Sequence, residues 1–371
     1  MTAISLTASK SALAVSLYSV TNLGSLTGQA YSYATGINDS GEVAINSLAS
    51  SFFYSNGSLK KISPLPGDNQ LAVTGINNLG QVVGNSVGNN NLTVNNPFLY
   101  SNGITQPLPI QNAIPYAINE RTQIVGGATG LGPFLYSDGK ASSIGSPGNV
   151  AYSLNNLGQV VGILSSNTAF LYENGQTTNL GTLPGDEYSV ANDINDSGQV
   201  VGGSGLTGVD DSNAFLYSSN TGLQDLGRLR PTDSFSLGVG INNLGQVVGF
   251  SGSNNDFFAA DGNGLRAFLY SDSTLYDLND LIAPGSNTGF ILTAASAINN
   301  KGQIAGRGAV NGKLNAFLLT PILSVSVPEA TSAFPILSFG AVVTLFAALK
   351  RKRHSSSAVI QQKLQENKAM T

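Results

Sequence analysis

Side chains that could perform catalysis or bind a metal ion are scarce in this sequence of 371 residues. The chain has no cysteine, and its single histidine, His354, lies close to the carboxyl end. The rest of the chain therefore offers no thiolate, no imidazole base and no Ser-His-Asp triad. Metal sites built on cysteine or histidine are excluded for the same reason. We predict that the protein is not an enzyme and has no cofactor.

One segment carries the oxygen-bearing side chains of a calcium loop, because Asp193, Asn195 and Ser197 alternate before Gly198. However, glycine or alanine takes the place of Asp193 in most of the related segments, and no glutamate closes the loop. Asn, Asp and Gly are also the residues that a tight turn requires. We therefore interpret residues 193–198 as a turn and predict no metal site.

Four tyrosines are candidates for ligand binding because each lies a few residues before a recurring Ile-Asn or Leu-Asn pair: Tyr31, Tyr116, Tyr152 and Tyr188. Aromatic rings at the edge of a sheet can stack on sugar rings, and loop carboxylates could hydrolyse a glycoside where two lie about 5–10 Å apart. Large aromatic side chains are also common core residues. Binding of an extracellular polysaccharide and packing between structural units both stay open, and we favour packing.

Two short motifs alternate along the chain, seven times each. Variants of Ile-Asn-x-x-Gly-Gln-Val-Val-Gly begin at Ile37, Ile76, Ile118, Leu154, Ile194, Ile241 and Ile298. An apolar tetrapeptide such as Ala-Phe-Leu-Tyr follows each of them, at 51–54, 97–100, 133–136, 169–172, 214–217, 267–270 and 316–319. Because chance does not produce strict alternation of two motifs, this part of the chain consists of seven repeats.

Each repeat is expected to form four short β-strands. The Asn-x-x-Gly segment is typical of a tight turn, since Asn and Asp tolerate left-handed geometry and Gly adopts a positive φ. Strands on either side of this turn form a hairpin, the tetrapeptide forms a third strand, and a further run such as 177–183 forms a fourth. Four strands in roughly 40 residues match one blade of a β-propeller. A parallel β-solenoid is the alternative, but the uneven repeat spacing favours an all-β, seven-bladed propeller over 18–320.

The two ends of the repeat array complement each other. The seventh repeat has no fourth strand, because the chain reaches Pro321 directly after its tetrapeptide. A strand-like segment, 18–26, precedes the first repeat and shares the pattern Asn-Leu-Gly-x-Leu with 179–183. We predict that this N-terminal strand completes the last blade and closes the propeller as one domain.

The charge distribution argues against nucleic acid binding. Residues 350–371 contain six of the 17 Lys and Arg residues and one acidic residue, so the rest of the chain holds 11 basic and 20 acidic side chains. Nucleic acid phosphates are bound by clustered basic residues, which this part of the chain lacks.

The basic cluster lies instead after an uncharged, mostly apolar run, residues 333–349. Its members are Lys350, Arg351, Lys352 and Arg353. Such a run is at the short end for a membrane span, and positive charge directly after it favours a cytoplasmic flank. We predict a linker over 321–332, a transmembrane helix over 333–349 and a basic cytoplasmic tail over 350–371.

The linker ends in the motif Val327, Pro328, Glu329, and its order with the apolar run and the basic cluster resembles the PEP-CTERM sorting signal of Gram-negative surface proteins. This resemblance implies recognition of the Pro-Glu motif by an exosortase-type protease, with delivery to the cell envelope or the extracellular matrix. The sequence departs from the commonest form at Ala330, where a second proline is usual.

The repeats themselves resemble the HAF family of extracellular repeat proteins, through Leu-Gly-Thr-Leu-Pro-Gly at 180–185, residues 194–202 and Ala-Phe-Leu at 214–216. The histidine that names this family is replaced, for example by Thr168 and Asn213. The resemblance implies an exported surface or matrix protein that binds or supports other molecules. A carbohydrate-binding or carbohydrate-active propeller is the alternative, and residues 1–17 are a possible, weak leader sequence.

Overall fold

The repeats form seven antiparallel, four-stranded sheets in the computed structural model, which describes residues 16–28, 31–48, 50–88, 95–253, 264–286 and 289–322. The seven sheets are the blades of a β-propeller, so the predicted architecture is confirmed. Within a blade the strands follow chain order outwards from a central channel, which the seven first strands line.

The strands are short and evenly distributed. The chain begins with β1 (Leu17–Asn22) and the helical turn α1 (Gly24–Thr27). Blades one to three contain β2 Tyr33–Ile37, β3 Val43–Ser47, β4 Ser50–Ser55, β5 Ser58–Ile62, β6 Gln70–Ile76, β7 Val82–Val87, β8 Asn96–Ser101, β9 Ile104–Pro107, β10 Ala113–Ile118, β11 Ile124–Ala128, β12 Gly132–Ser137 and β13 Lys140–Ser143. Blades four and five contain β14 Val150–Leu154, β15 Val160–Ile163, β16 Ala169–Glu173, β17 Gln176–Gly181, β18 Tyr188–Ile194, β19 Val200–Gly205, β20 Asn213–Ser218 and β21 Gly222–Gly227, with a 3-10 turn at Val209–Asp211. Blades six and seven contain β22 Phe235–Ile241, β23 Val247–Gly252, β24 Leu265–Ser271, β25 Thr274–Asp277, β26 Ile291–Ile298, β27 Ile304–Val310 and β28 Lys313–Ile322.

The N-terminal strand closes the ring. Blade seven has the order β26-β27-β28-β1, and β1 pairs with β28 from Leu17 opposite Ile322 to Asn22 opposite Phe317. The predicted closure is therefore confirmed. The strand is shorter than the expected 18–26, however, because the chain turns into α1, where the Thr27 hydroxyl donates to the carbonyl of Gly24 at 2.9 Å.

Adjacent apolar residues on the second strand of a blade connect it to both neighbouring blades. In blade five, Val200 and Val201 are both fully buried. Val200 packs with Leu171 of blade four, whereas Val201 packs with Ile241 of blade six. Because successive side chains of a strand point to opposite faces, the Val-Val pair of the repeat motif contributes to two interfaces at once.

Several predicted segments lie outside the described residues. They are most of the possible leader, the sorting motif Val327, Pro328 and Glu329, the apolar run 333–349 and the basic residues Lys350, Arg351, Lys352 and Arg353. Within the described ranges, no helix is long and apolar enough to cross a membrane.

Candidate functional site

A β-bulge in the first strand of every blade directs one side chain into the central channel. In blade four the pairing of β14 with β15 shifts between Ala151 and Ser153, which makes Tyr152 the extra residue. The other six blades show the same shift at the corresponding position. A bulge re-aims its extra side chain. The extra residues are Thr35, Thr74, Tyr116, Tyr152, Asn192, Val239 and Ser296, and all seven line one cavity.

This cavity, termed the channel cavity, has a volume of about 290 Å³. The seven Ile and Leu residues that begin the repeat motif line a second cavity of about 190 Å³, the mouth cavity, and five of them also line the channel cavity. The two cavities therefore share an aliphatic belt around the channel.

Two of the four candidate tyrosines meet inside the channel. Tyr116 and Tyr152 come from neighbouring blades, and their ring centroids lie 5.4 Å apart in an edge-to-face arrangement with an interplanar angle of 67°. Burial raises the pKa of both phenols. Neither hydroxyl forms a hydrogen bond with another side chain or backbone group of the described residues, so both are available to a ligand or to water in the cavity.

The other two candidate tyrosines do not line this cavity. Tyr31 precedes β2 and contacts Tyr33, with ring centroids 5.6 Å apart. Burial raises the pKa of Tyr31, and the nearby guanidinium of Arg307 lowers it. Tyr188 is the first residue of β18. The structure thus brings the rings of Tyr116 and Tyr152 together in the channel cavity. Tyr188 does not line the cavity, but its phenol lies close enough to raise the pKa of Tyr152 further, whereas Tyr31 lies beside Tyr33.

Asp193 is the one carboxylate at its position among the seven repeats, and it lines both cavities. Its Oδ1 accepts a hydrogen bond from the Ser153 hydroxyl at 2.7 Å, and its Oδ2 accepts one from the Ile241 N–H at 2.9 Å. Burial raises the pKa of Asp193 to about 6, although these hydrogen bonds and one from the Ile194 N–H lower it. Because its two partners belong to blades four and six, Asp193 links three consecutive blades.

The segment with calcium-loop composition forms a turn. The Oδ1 atom of Asn195 accepts hydrogen bonds from the N–H groups of Ser197 and Gln199, at 3.1 and 3.0 Å. Gly198 has a φ of 74°, the positive value that favours glycine. The oxygen atoms of Asp193 and Asn195 thus accept bonds from the protein's own donors, which agrees with the turn interpretation.

The asparagine of every repeat motif belongs to a closed ring of hydrogen bonds, termed the asparagine ring. Each Nδ2 donates to the backbone carbonyl of the corresponding asparagine in the next blade, at 2.8–3.1 Å. Each Nδ2 also donates to the Gln or Glu side chain four residues later, and each Oδ1 accepts two backbone N–H groups, as in Asn155. All four hydrogen-bonding positions of the amide are thereby used. The members are Asn38, Asn77, Asn119, Asn155, Asn195, Asn242 and Asn299, each 3–4% exposed.

The following residue of each repeat forms a second closed ring, the rim. Each backbone N–H donates to a side-chain oxygen of the rim residue in the next blade, at 2.6–3.0 Å. The position therefore requires a side-chain acceptor, which explains its restriction to Asp, Asn and Glu. The members are Asp39, Asn78, Glu120, Asn156, Asp196, Asn243 and Asn300.

The rim gives the mouth cavity a negative potential. Burial raises the pKa of Glu120, the Asn78 N–H lowers it, and the carboxylates of Asp39 and Asp196 raise it further. Of the described residues that line the two cavities, four are carboxylates and none is Lys, Arg or His. A channel of this charge favours neutral or cationic ligands over anions.

The two rings were missed by reasoning from the sequence, which assigned the asparagines to left-handed turn geometry. That assignment was wrong for the asparagines of the ring, none of which has a positive φ. The sequence did contain a signal for the asparagine ring, because a Gln or Glu follows the asparagine by four residues in every repeat. The hydrogen bond from each asparagine to the next blade depends on the distance between blades, which the sequence of one repeat does not reveal.

Comparison with known proteins supports the fold. The structure is similar to the extracellular domain of a protein described as a one component system from B. thetaiotaomicron, with 16% identity, a TM-score of 0.50 and 81% of this chain covered. The match spans 39% of that longer chain. A protein described as TolB from Agrobacterium tumefaciens matches over 83% of this chain and all of its own, with 13% identity and a TM-score of 0.41. Oligogalacturonate lyase in complex with manganese matches over 77% of this chain and 87% of its own, with 13% identity and a TM-score of 0.43.

At these identities the likeness concerns the fold alone, because unrelated functions share propeller architectures. No protein-family model and no curated protein matches the sequence.

Proposed function

We propose that the protein is exported and acts at the cell surface or in the extracellular matrix as a non-enzymatic binding module. The observation that carries this proposal is the order of the tail segments: Val327-Pro328-Glu329, the apolar run 333–349 and the basic cluster Lys350–Arg353. A helix over the apolar run would hold the chain in the membrane, with the basic cluster on the cytoplasmic side. An exosortase-type protease that recognises the Pro-Glu motif would then process the chain.

The fold supports a binding role in this setting. A closed propeller leaves only short, protected strand edges, which suits a protein that works outside the cell. The similar extracellular domain from B. thetaiotaomicron is in keeping with a surface location. The HAF-like repeats support the same proposal.

The arrangement in the channel favours binding over catalysis. Both oxygens of Asp193 accept hydrogen bonds from the protein itself, at 2.7 and 2.9 Å. This carboxylate therefore fits a structural role between blades.

Cell fractionation of the native organism tests the location. The full chain is compared with a chain that ends at residue 326, both detected by an antibody against the propeller. We expect the full chain in the envelope fraction and the shortened chain in the periplasm or medium. Retention of both chains in the cytoplasm would overturn the proposal.

A matched pair of tail variants tests the sorting motif. Glu329→Gln removes the charge of the motif, whereas Glu366→Gln removes the other tail glutamate, which lies beyond the basic cluster. We expect Glu329→Gln to leave an unprocessed chain of full mass in the membrane and Glu366→Gln to be processed like the unaltered protein. Equal processing of both variants would count against an exosortase-type signal.

A further inference from the structure

We propose that the channel cavity binds one neutral sugar residue, with Tyr116 and Tyr152 as its aromatic wall. This sugar site rests on the binding role proposed above. The tyrosines lie on the first strands of neighbouring blades and at the bulges, where their rings enter the channel. Both tyrosines lie on the innermost strand of their blade, so the blade edge at which stacking was expected from the sequence is the one that faces the channel.

The wall of the channel cavity departs from sevenfold symmetry at the bulge positions. The asparagine ring has the same residue in all seven blades, and the rim alternates only among acceptor side chains. The bulge positions, in contrast, carry two Tyr, two Thr, one Asn, one Val and one Ser. A single small ligand without sevenfold symmetry needs such an uneven wall, with an aromatic side and a polar side.

Hydrogen-bonding groups in the cavity remain available for a ligand. The hydroxyls of Tyr116, Tyr152 and Ser296 make no hydrogen bond within the described part of the chain. The amide of Asn192 donates to the carbonyl of Gly238 at 2.8 Å, which fixes the side chain and leaves its oxygen as an oriented acceptor. A sugar offers apolar C–H faces to aromatic rings and hydroxyls to such donors and acceptors, and it would replace water there.

Size and charge narrow the ligand class. A volume of about 290 Å³ is at the lower limit for small-molecule sites, so it suits one sugar residue rather than an oligosaccharide. The four carboxylates along the channel, Asp39, Glu120, Asp193 and Asp196, repel uronates and phosphorylated sugars. A neutral sugar, free or at the end of a glycan, meets both conditions.

Isothermal titration calorimetry tests the site. The purified full chain, in a detergent without a sugar headgroup, is titrated with glucose, galactose, mannose and N-acetylglucosamine, and with galacturonate as the anionic counterpart of galactose. We expect at least one neutral sugar to bind with one site per chain, and galacturonate to bind at least tenfold more weakly than galactose or not at all. Absence of binding by all four neutral sugars, or galacturonate binding as tightly as the best of them, would overturn the inference.

Variants of the aromatic wall locate the binding. Tyr152→Ala removes the ring, and the double variant Tyr116→Phe, Tyr152→Phe keeps the rings and the fold while it removes both hydroxyls. The control, Tyr217→Phe, alters a third-strand tyrosine that does not line the cavity. We expect at least a tenfold loss of affinity for Tyr152→Ala, about a fivefold loss for the double variant and no change for the control. Unchanged affinity in the double variant and in a folded Tyr152→Ala would place the sugar elsewhere and refute the proposal.

The two proposals fail separately. A chain that fractionates with the envelope but binds no sugar loses the channel inference and keeps the proposed location. A chain that binds a sugar through Tyr116 and Tyr152 but stays in the cytoplasm keeps the channel inference and loses the proposed location.

Discussion

The ring of Phe215 occupies the space that a side chain on Gly202, its cross-strand partner in blade five, would need. A Cβ atom on Gly202 would lie 2.8 Å from Cζ of Phe215 and would overlap the carbonyl oxygen of Val190. Blades six and seven repeat the contact between glycine and phenylalanine. This contact couples the two sequence motifs, because the glycine ending one provides the space for the phenylalanine of the other.

Gly202→Ala is therefore expected to destabilise the propeller by about 2–3 kcal/mol, since the added methyl group must displace a buried ring or a first-strand carbonyl. Chemical denaturation followed by far-UV circular dichroism measures the change. The control is Gly127→Ala in β11, where a Cβ would meet nothing within 4 Å. Alanine there should leave stability unchanged or raise it slightly. Equal effects of the two variants would contradict the role of the Gly202–Phe215 contact.

Much of the fold could be predicted from the sequence, because periodic motifs report strands and turns directly. The pairing of β1 with β28 was also predictable, since one unit lacked a strand and another segment matched it. The first blade shows where such reasoning ends. Ile45 occupies the glycine position there, and its cross-strand partner Phe52 is only partly buried. The partner is still a phenylalanine, so its weaker burial depends on packing that neither motif reveals alone.

The candidate site was less predictable than the fold. Four tyrosines precede the motif, but only the bulge positions of Tyr116 and Tyr152 direct the rings into the channel, and a bulge has no separate signal in the sequence. The asparagine ring depends on seven contacts between blades, which exist only once the propeller has closed. Long-range geometry of this kind is determined by tertiary packing.

Loss of a single asparagine from the asparagine ring should destabilise the propeller. Asn155→Ala leaves the carbonyl of Asn195 and the N–H groups of Leu157 and Gln159 without their buried partner. We expect a loss of about 3 kcal/mol in the free energy of unfolding, because unsatisfied buried polar groups each carry a desolvation cost. The control is Thr177→Ala on the exposed fourth strand of the same blade. A loss below about 1 kcal/mol for Asn155→Ala would show that the turn holds without its asparagine.

Closure of the ring depends on a buried tyrosine of the N-terminal strand. Tyr18 is 2% exposed and packs in the core of blade seven, whereas its neighbour Leu17 is 41% exposed. Tyr18→Ala is expected to cost about 3–5 kcal/mol through loss of a large buried side chain, and Leu17→Ala less than about 1 kcal/mol. Thermal unfolding and limited proteolysis near residue 16 follow both variants. Similar stability of the two would mean that β1 does not hold blade seven closed.

Asp193 should make stability depend on pH. Its pKa is raised from the ordinary 3.8 to about 6 in the folded protein, so the folded state binds the proton more tightly than the unfolded chain. The stability that protonated Asp193 contributes is therefore fully present below about pH 4 and is lost as the pH rises through 6, a change of up to about 3 kcal/mol. Urea unfolding measured at intervals from pH 4 to 7.5 should show this decline.

Asp193→Asn removes the titrating group and should flatten much of the decline between pH 5 and 7. A smaller decline should remain because the pKa of Glu120 is also raised by burial. The control, Asp138→Asn, removes an exposed turn carboxylate at a positive φ that asparagine tolerates, and it should retain the full pH dependence. The same pH dependence in Asp193→Asn as in the unaltered protein would show that this carboxyl stays ionised between blades four and six, held by the Ser153 and Ile241 donors strongly enough to offset its burial.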